Sequence, residues 1–366
     1  SSSATVTITV NAVNDAPVLT TIDDQAIDED GVLSLTLSGS DVDGDDLQIM
    51  IVDQPMYGLL TINTDQSFSY VHDGSETSSD SFAFSLADGG ENNAAAVTGT
   101  FSITVTAVND VPTLSGADGT LSFTENDGAT AIDASLSVGD VDDTSLELAT
   151  ITITSGYVSS EDVLGFSTQN GISGSWNSGS GVMTLSGTSS KANYEAALES
   201  VTYNNTSENP NTSARTITWI LNDGDSNSLG VTSTVSVTAV NDAPTIATNT
   251  GTSVAEAASV AITASLLNEG DPDDSGAGLT YTVSSASNNG QLELTTGEGE
   301  PITVFTQEDI DSDRVIYKHD GGESLEDGFA FSLADGGEDE VSAATGTFSI
   351  SVATLNDAPT VVTNTG

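Results

Sequence analysis

The tetrapeptide Asn-Asp-x-Pro occurs four times: Asn14-Asp15-Ala16-Pro17, Asn109-Asp110-Val111-Pro112, Asn241-Asp242-Ala243-Pro244 and Asn356-Asp357-Ala358-Pro359. The intervals are 95, 132 and 115 residues. Each is the length of a domain, well beyond the roughly 20–50 residues of a solenoid repeat. Residues 72–92 align without gaps on 319–339, with 15 of 21 positions identical. A chain so punctuated reads as three tandem domains, the first and third close relatives and a longer cousin between them. The boundaries fall at 14–110, 111–243 and 244–357. Residues 4–13, ATVTITVNAV, look like FSITVTAV (101–108) and TVSVTAV (234–240). Residues 1–13 are therefore expected to be the last strand of a preceding repeat, and 358–366 the start of a following one, as in an excerpt from a longer array.

Within each interval the apolar residues alternate. Phe101, Ile103 and Val105 are interleaved with Ser102, Thr104 and Thr106, Val235 and Val237 with Ser236 and Thr238, and Phe348, Ile350 and Val352 with Ser349 and Ser351. Period two means one buried and one wetted face. Further strands are predicted over 33–37, 47–52, 58–62, 67–71 and 81–86. About seven short strands in some 100 residues, separated by Gly/Asp/Asn turns, is the pattern of a β-sandwich. One helix is predicted over 190–201, where Tyr194, Ala197, Leu198 and Val201 share a face and Ser190 can cap.

Charge decides what such sandwiches can meet. There are 55 Asp+Glu against 4 Lys+Arg, a formal net charge of −51. Nucleic acid and anionic headgroups are repelled, and phosphoryl-transfer clamps cannot be built from four cations. The absence of Cys excludes disulfides, thiolate catalysis and Cys-based zinc sites. No apolar run approaches the ~18–20 residues of a membrane span. Residues 1–10 show neither a basic n-region nor an apolar h-region, so no signal peptide is read there. With 36% hydrophobic and 5% aromatic residues the chain sits near the border of disorder, so its acidity requires a countercharge.

The acids are placed, not spread. Counted from each Asn of Asn-Asp-x-Pro, a Glu follows at 15, 16 and 15 residues: Glu29, Glu125 and Glu256. An Asp-x-Asp follows at 27, 31 and 30: Asp41/Asp43, Asp140/Asp142 and Asp271/Asp273. An Asp-Gly precedes the next Asn by 21, 18 and 21: Asp88, Asp223 and Asp335. Like charges clustered away from water are costly unless a cation neutralises them. Hard oxygens without His or Cys select Ca²⁺. The run from Asp41 is no EF-hand loop, because position 6 is Asp46 and position 12 is Val52. The ligands must converge from separate loops.

The segment AFSLADGG…GTFSITVTAVNDVPT (83–113) resembles the end of a cadherin repeat, with its AxDxG segment, last strand and linker. The Asp-x-Asp and the early Glu also fall where that family has them. The Leu-Asp-Arg-Glu motif of the family is absent, and the resemblance puts Asp73/Glu76, Asp320/Glu323 and Glu208 in its place. Repeats 1 and 3 are also similar to chondroitin-sulfate-proteoglycan-type repeats, in repeat 3 through FTQEDID (305–311) and YKHDGGE (317–323). Through GYVSSEDVLGF (156–166), YEAALESVTYNNTSENP (194–210) and ILNDGD (220–225), repeat 2 resembles a longer bacterial cadherin-like module, and the whole resembles the repeat region of a bacterial RTX-type surface adhesin. The resemblance implies an all-β fold of cadherin-like/immunoglobulin-like β-sandwiches joined end to end as an elongated, monomeric rod. It implies Ca²⁺ held at each linker. One site takes Glu29, Asn109/Asp110, Asp140/Asp142 and Asp223; the next takes Glu125, Asn241/Asp242, Asp271/Asp273 and Asp335. Asn14/Asp15, Asp41/Asp43 and Asp88 would serve the N-terminal site, and Glu256 with Asn356/Asp357 the C-terminal one.

The expected function is structural and non-enzymatic: an extracellular, calcium-rigidified extender at a bacterial cell surface, projecting a distal adhesion domain in adhesion or biofilm formation. Its partners are calcium ions and neighbouring repeats, with no nucleic acid and no direct membrane contact. A glycan- or peptide-binding module, and an accessory region of an extracellular hydrolase, stand as alternatives. His72 and His319 occupy one slot in two repeats, which suits a structural residue better than a unique active site. Trp176 is read as a hairpin or core residue, with sugar stacking as the alternative.

Overall fold

A computed structural model describes residues 1–63, 67–89, 95–336 and 341–356. The chain divides into two compact units, 1–113 with 138–147 and 221–229, and 114–137 with 148–220 and 230–366. It is all-β apart from two short α-helices and one turn of 3₁₀ helix among the described residues.

In the first repeat Gln25–Asp28, Val97–Thr106, Ser79–Ala87 and Gln48–Asp53 form a four-stranded sheet in that order. Val32–Thr36, Ser67–His72 and Gly58–Ile62 form a second, three-stranded sheet, and Val18–Leu19 pairs with Gly39–Ser40. The alternation read from the sequence becomes the inner face. Leu33, Phe68, Tyr70, Phe82, Phe101 and Ile103 are buried in one core, and Phe68 meets Phe82 edge-on at 5.0 Å.

The same plan recurs twice. A six-stranded sheet runs Thr120–Thr124, Val231–Thr238, Arg215–Asn222, Ser145–Ser155, Val182–Ser190 and Ser173–Asn177. A five-stranded sheet runs Thr252–Ala255, Ala344–Ala353, Glu326–Ala334, Thr280–Ser285 and Val304–Thr306. Each is accompanied by a three-stranded sheet. Val235, Val237, Phe348, Ile350 and Val352 all point inward.

The predicted helix is present as Lys191–Glu199, and Ser190 accepts from the Asn193 amide at 3.3 Å. Tyr194, Ala197, Leu198 and Val201 are fully buried, so the helix closes the core. The helix Gln307–Asp311 was not predicted. Its signal is the capping box of Thr306 and Asp309, four residues that outweigh the β-like surroundings.

Residues 4–13, predicted as a strand, form none. Val6, Ile8 and Val10 are 80–86% exposed. A strand needs an edge to pair with, and no described residue supplies one.

One topological feature positions the acids. The early strand of each sandwich runs parallel to the last one: Asp28 opposite Thr106, Thr124 opposite Thr238, Ala255 opposite Ala353. Both strands therefore leave the sheet at the same end. The Glu after the early strand thus lies beside the linker after the last strand, though 79 to 115 residues separate them in sequence. The chain then turns sharply, with Asp30, Asn126 and Ala257 in the left-handed region at φ 57°, 67° and 58°.

Candidate metal centres

Each Glu is held by one oxygen. Glu29 Oε2 accepts from the Val108 amide at 3.4 Å, Glu125 Oε2 from Val240 at 2.9 Å, and Glu256 Oε2 from Leu355 at 3.0 Å. In each case the donor is the residue before the linker Asn. All three Glu are at least 93% buried.

The linker Asn and Asp are wired in one pattern. The side-chain amide of Asn14 donates to Asp88 at 2.7 Å, that of Asn109 to Asp223 at 3.1 Å, and that of Asn241 to Asp335 at 2.9 Å. The backbone N–H of Asp15 donates to Asp43 at 2.8 Å, that of Asp110 to Asp142 at 3.3 Å, and that of Asp242 to Asp273 at 2.8 Å. Within the Asp-x-Asp loops, Asp41 Oδ1 accepts from Asp43 N, Asp140 Oδ1 from Asp143 N, and Asp271 Oδ1 from Asp273 N and Asp274 N. The recurrent acids of the sequence are thus gathered into sets. At the C-terminal set, Asp357 lies outside the described residues, and Glu256 stands next to the segment leading to Asn356.

Carboxylate oxygens of Glu29, Glu76 and Asp110 lie within 4.8 Å of one another, as do those of Glu125, Glu208 and Asp242, and those of Asp140, Asp142 and Asp143. Glu76 and Glu208, two of the acids offered in place of the missing motif, thus lie beside the linker acids Asp110 and Asp242. Asp73 and Asp320 turn instead to the amides of Ser75 and Gly322. Asp143 and Asp274 were not singled out from the sequence. The run Asp-x-Asp-Asp, present in the second and third repeats, is the signal that marks them.

The crowding raises proton affinity. Desolvation, followed by the facing carboxylates of Glu29, Asp142 and Asp110, pushes Glu76 up. Desolvation and then Asp142, Glu29 and Asp30 push Asp110 up. Glu125 is raised by desolvation against the Val240 amide, with Asp242, Asp273 and Glu208 adding to it. Desolvation, Asp273 and Glu208 do the same to Asp242. Asp223 differs: burial would raise it, but the amides of Ser226 and Asp225 and the Asn109 side chain hold it below the usual carboxylate range.

Several oxygens in these sets are left over. Asp41 Oδ2, Glu29 Oε1, Asp142 Oδ1, Glu125 Oε1, Asp242 Oδ2 and Asp271 Oδ2 are buried and accept no hydrogen bond. An unsatisfied buried acceptor costs about 1–3 kcal/mol, more when charged. All belong to oxygen-only donor sets, and Glu29, Asp41, Asp142, Glu125 and Asp271 each accept a backbone N–H on the other oxygen. This arrangement fits a hard divalent cation, which takes six to eight oxygens at ~2.3–2.6 Å in irregular geometry.

The other singled-out residues make contacts within their own sandwiches. His72 is buried, with Nε2 3.1 Å from Thr77 Oγ1 and Nδ1 accepting from Gly74 N. His319 Nδ1 accepts from Ala257 N and Gly321 N. Trp176 sits in the hairpin of Ser173–Asn177 and Val182–Ser190, its ring edge-on to Tyr157. Among the described residues no helix is long and apolar enough to cross a membrane.

Comparison with known proteins agrees with this architecture. Residues 14–107 match the family model of the bacterial cadherin-like domain, and residues 244–352 match a model described as cadherin-like. The chain is 39% identical over 104 residues to human chondroitin sulfate proteoglycan 4, covering 28% of this chain and 4% of that protein. It is 32% identical over 146 residues to mouse extracellular matrix organizing protein FRAS1, covering 36% of this chain and 4% of that protein. It is 34% identical over 151 residues to halomucin of Haloquadratum walsbyi, covering 40% of this chain and 2% of that protein. The chain therefore spans only a few per cent of the length of these relatives. Among solved structures, extracellular cadherin domains 1–5 of protocadherin gamma B2 align over 94% of this chain and 61% of theirs, at 14% identity and a TM-score of 0.47. The protein is built of cadherin-like and bacterial cadherin-like β-sandwich domains in tandem.

Proposed function

We propose that this chain is a calcium-rigidified extender within a bacterial cell-surface adhesin, holding a distal ligand-binding domain away from the cell. The observation that supports it is the set of buried carboxylate oxygens without hydrogen bonds at the linkers. Glu29, Glu76, Asp110 and Asp142 would hold calcium at one linker, with Asn109, Asp140, Asp143 and Asp223 around them. Glu125, Glu208, Asp242, Asp271 and Asp273 would do so at the next, with Asn241 and Asp335. Asp15, Asp41, Asp43 and Asp88 form the corresponding N-terminal set. Bound calcium supplies the positive charge that these sets lack. The chain's own contribution is preorganisation: amides of Val108, Val240 and Leu355 fix the Glu carboxylates, and the linker Asn side chains fix the Asp-Gly acids. The linker prolines fix φ and limit bending. Without the ion the same acids repel and the linkers are free to flex.

A ligand that binds only the folded state stabilises it by RT ln(1 + [L]/Kd), about 2.7 kcal/mol per site at a hundredfold excess over Kd. Melting in millimolar Ca²⁺ and in EDTA tests the reading, and equal melting temperatures would sink it. Solution scattering tests the extended shape. A globule of this length has a radius of gyration near ~21 Å, whereas three sandwiches end to end, each about 40 Å long by strand lengths and loops, give about 35 Å or more.

A further inference from the structure

The three sandwiches share a sheet order up to one strand and then differ. In the third repeat Thr280–Ser285 pairs with Glu326–Ala334 on one side and with Val304–Thr306 on the other. In the second, Ser145–Ser155 lies between Arg215–Asn222 and Val182–Ser190. In the first, Gln48–Asp53 pairs with Ser79–Ala87 and then the sheet ends, among the described residues.

The first and third repeats correspond residue by residue here. Gln48 faces Ala87 as Thr280 faces Ala334, Ile49 faces Leu86 as Tyr281 faces Leu333, and both strands carry a register shift at the same place. What covers the edge in the third repeat is therefore a template for what the first repeat lacks. There Phe305 pairs with Tyr281, stacks on it at 5.0 Å with the rings 9° apart, and is 2% exposed. The outward amide of Val283 donates to Thr303 O at 2.8 Å. In the first repeat Ile49 holds the place of Tyr281 and is only partly buried against the core, while Met50 and Val52 are 62% and 55% exposed. Asp53 also borders a cleft of about 550 Å³ lined by Met56, Tyr57, Ser79, Ser81 and Thr100.

An unpaired edge of this kind is a template for strand addition, with backbone hydrogen bonds giving affinity and alternate side chains giving specificity. Charge selects the occupant. A second copy would bring another −51 to the edge. The strand is bracketed by acids, Asp45 and Asp46 before it and Asp53 after it, and Asp46 and Asp53 are exposed. We propose that the open edge Gln48–Asp53 is a docking site for an extended basic peptide of a partner protein, which places an aromatic side chain opposite Ile49.

The probe is a peptide of the 302–306 sequence with two lysines added at each end, titrated into the isotope-labelled full chain at physiological salt. The expected result is a set of amide shifts confined to Gln48–Asp53 and the strand Ser79–Ala87. Replacing the lysines by glutamates, or Asp46 and Asp53 of the protein by Asn, weakens binding tenfold or more. A lysine-flanked peptide with proline at the aromatic position carries the same charge but cannot form the strand, and should bind at least tenfold more weakly. Equal binding of the proline peptide would mean charge alone holds it and would overturn the proposal. So would shifts located elsewhere, no binding at millimolar peptide, or dimerisation of the chain through this edge.

Discussion

Glu125→Gln should change the stability of the second repeat in opposite directions with and without calcium. Glu125 is 95% buried, and its Oε2 accepts from Val240 N, a bond that the amide oxygen of Gln retains. Its other oxygen accepts nothing and lies in a set with Asp242 and Glu208, all within 4.8 Å. At an effective dielectric constant of about 20, two unit charges at that separation repel by roughly 3.5 kcal/mol. Asp242 is only part-buried, so solvent screening reduces the Glu125–Asp242 repulsion to about 1–2 kcal/mol. The new amide can also donate to a neighbouring carboxylate. In EDTA the variant should therefore gain about 1–2 kcal/mol, which at about 3–5 °C per kcal/mol for a domain of this size is a visible rise in Tm. In saturating Ca²⁺ it has lost a charged ligand, and a tenfold to hundredfold fall in affinity removes about 1.4–2.7 kcal/mol. The assay is intrinsic fluorescence. Both tryptophans, Trp176 and Trp219, belong to the second repeat, and Trp219 is fully buried, so tryptophan emission, excited to the red of tyrosine absorption, reports this sandwich. A shift of one sign in both conditions, or none, would refute the assignment of Glu125 to a cation site. Raising the salt to 1 M should shrink the EDTA gain, because the repulsion is screened.

Other consequences concern the sandwiches themselves. Ala257 holds φ 58°, where its counterparts are Asp30 and Asn126, so Ala257→Asn should stabilise the third repeat by about 0.5–1 kcal/mol in denaturant unfolding. Arg215 is fully buried and bonded to Asp162 at 3.0–3.2 Å and to the carbonyls of Asn211 and Ser213. Arg215→Met strands the Asp162 charge and should cost about 3–5 kcal/mol, while adding Asp162→Asn recovers part of it in a double-mutant cycle. Asp327 is held below its ordinary value, because hydrogen bonds from Tyr317, Asn288 N and Asn289 N outweigh burial. A depressed carboxylate stabilises above its unfolded value near pH 4 and loses this as pH falls through the folded one. Asp327→Asn should then lower stability at pH 7, and the loss should shrink as pH falls below about 4, read by hydrogen exchange in the third repeat.

Local pattern was enough for many of the strands and for most of the recurrent acids, though it left out Asp143 and Asp274. Alternation of Phe101, Ile103 and Val105 fixes which face is buried, because successive side chains of a strand point to opposite sides. The helix over 191–199 was legible for the same reason at a different period, with Ser190 as its cap. Near-constant offsets from Asn-Asp-x-Pro exposed Glu29, Glu125 and the Asp-x-Asp loops from the sequence alone. What those acids do to one another was not legible. Glu29 meets Val108 across 79 residues because two strands run parallel, and neighbouring strand order is a long-range choice that alternation leaves open. That choice also brings Glu76 and not Asp73 to Asp110, although both stand in one HDGSE turn. Residues 4–13 and 48–53 make the same point from the other side. Both read as strands, but among the described residues only the second pairs, and on one edge alone, because a strand is completed by a neighbour that its own residues do not specify.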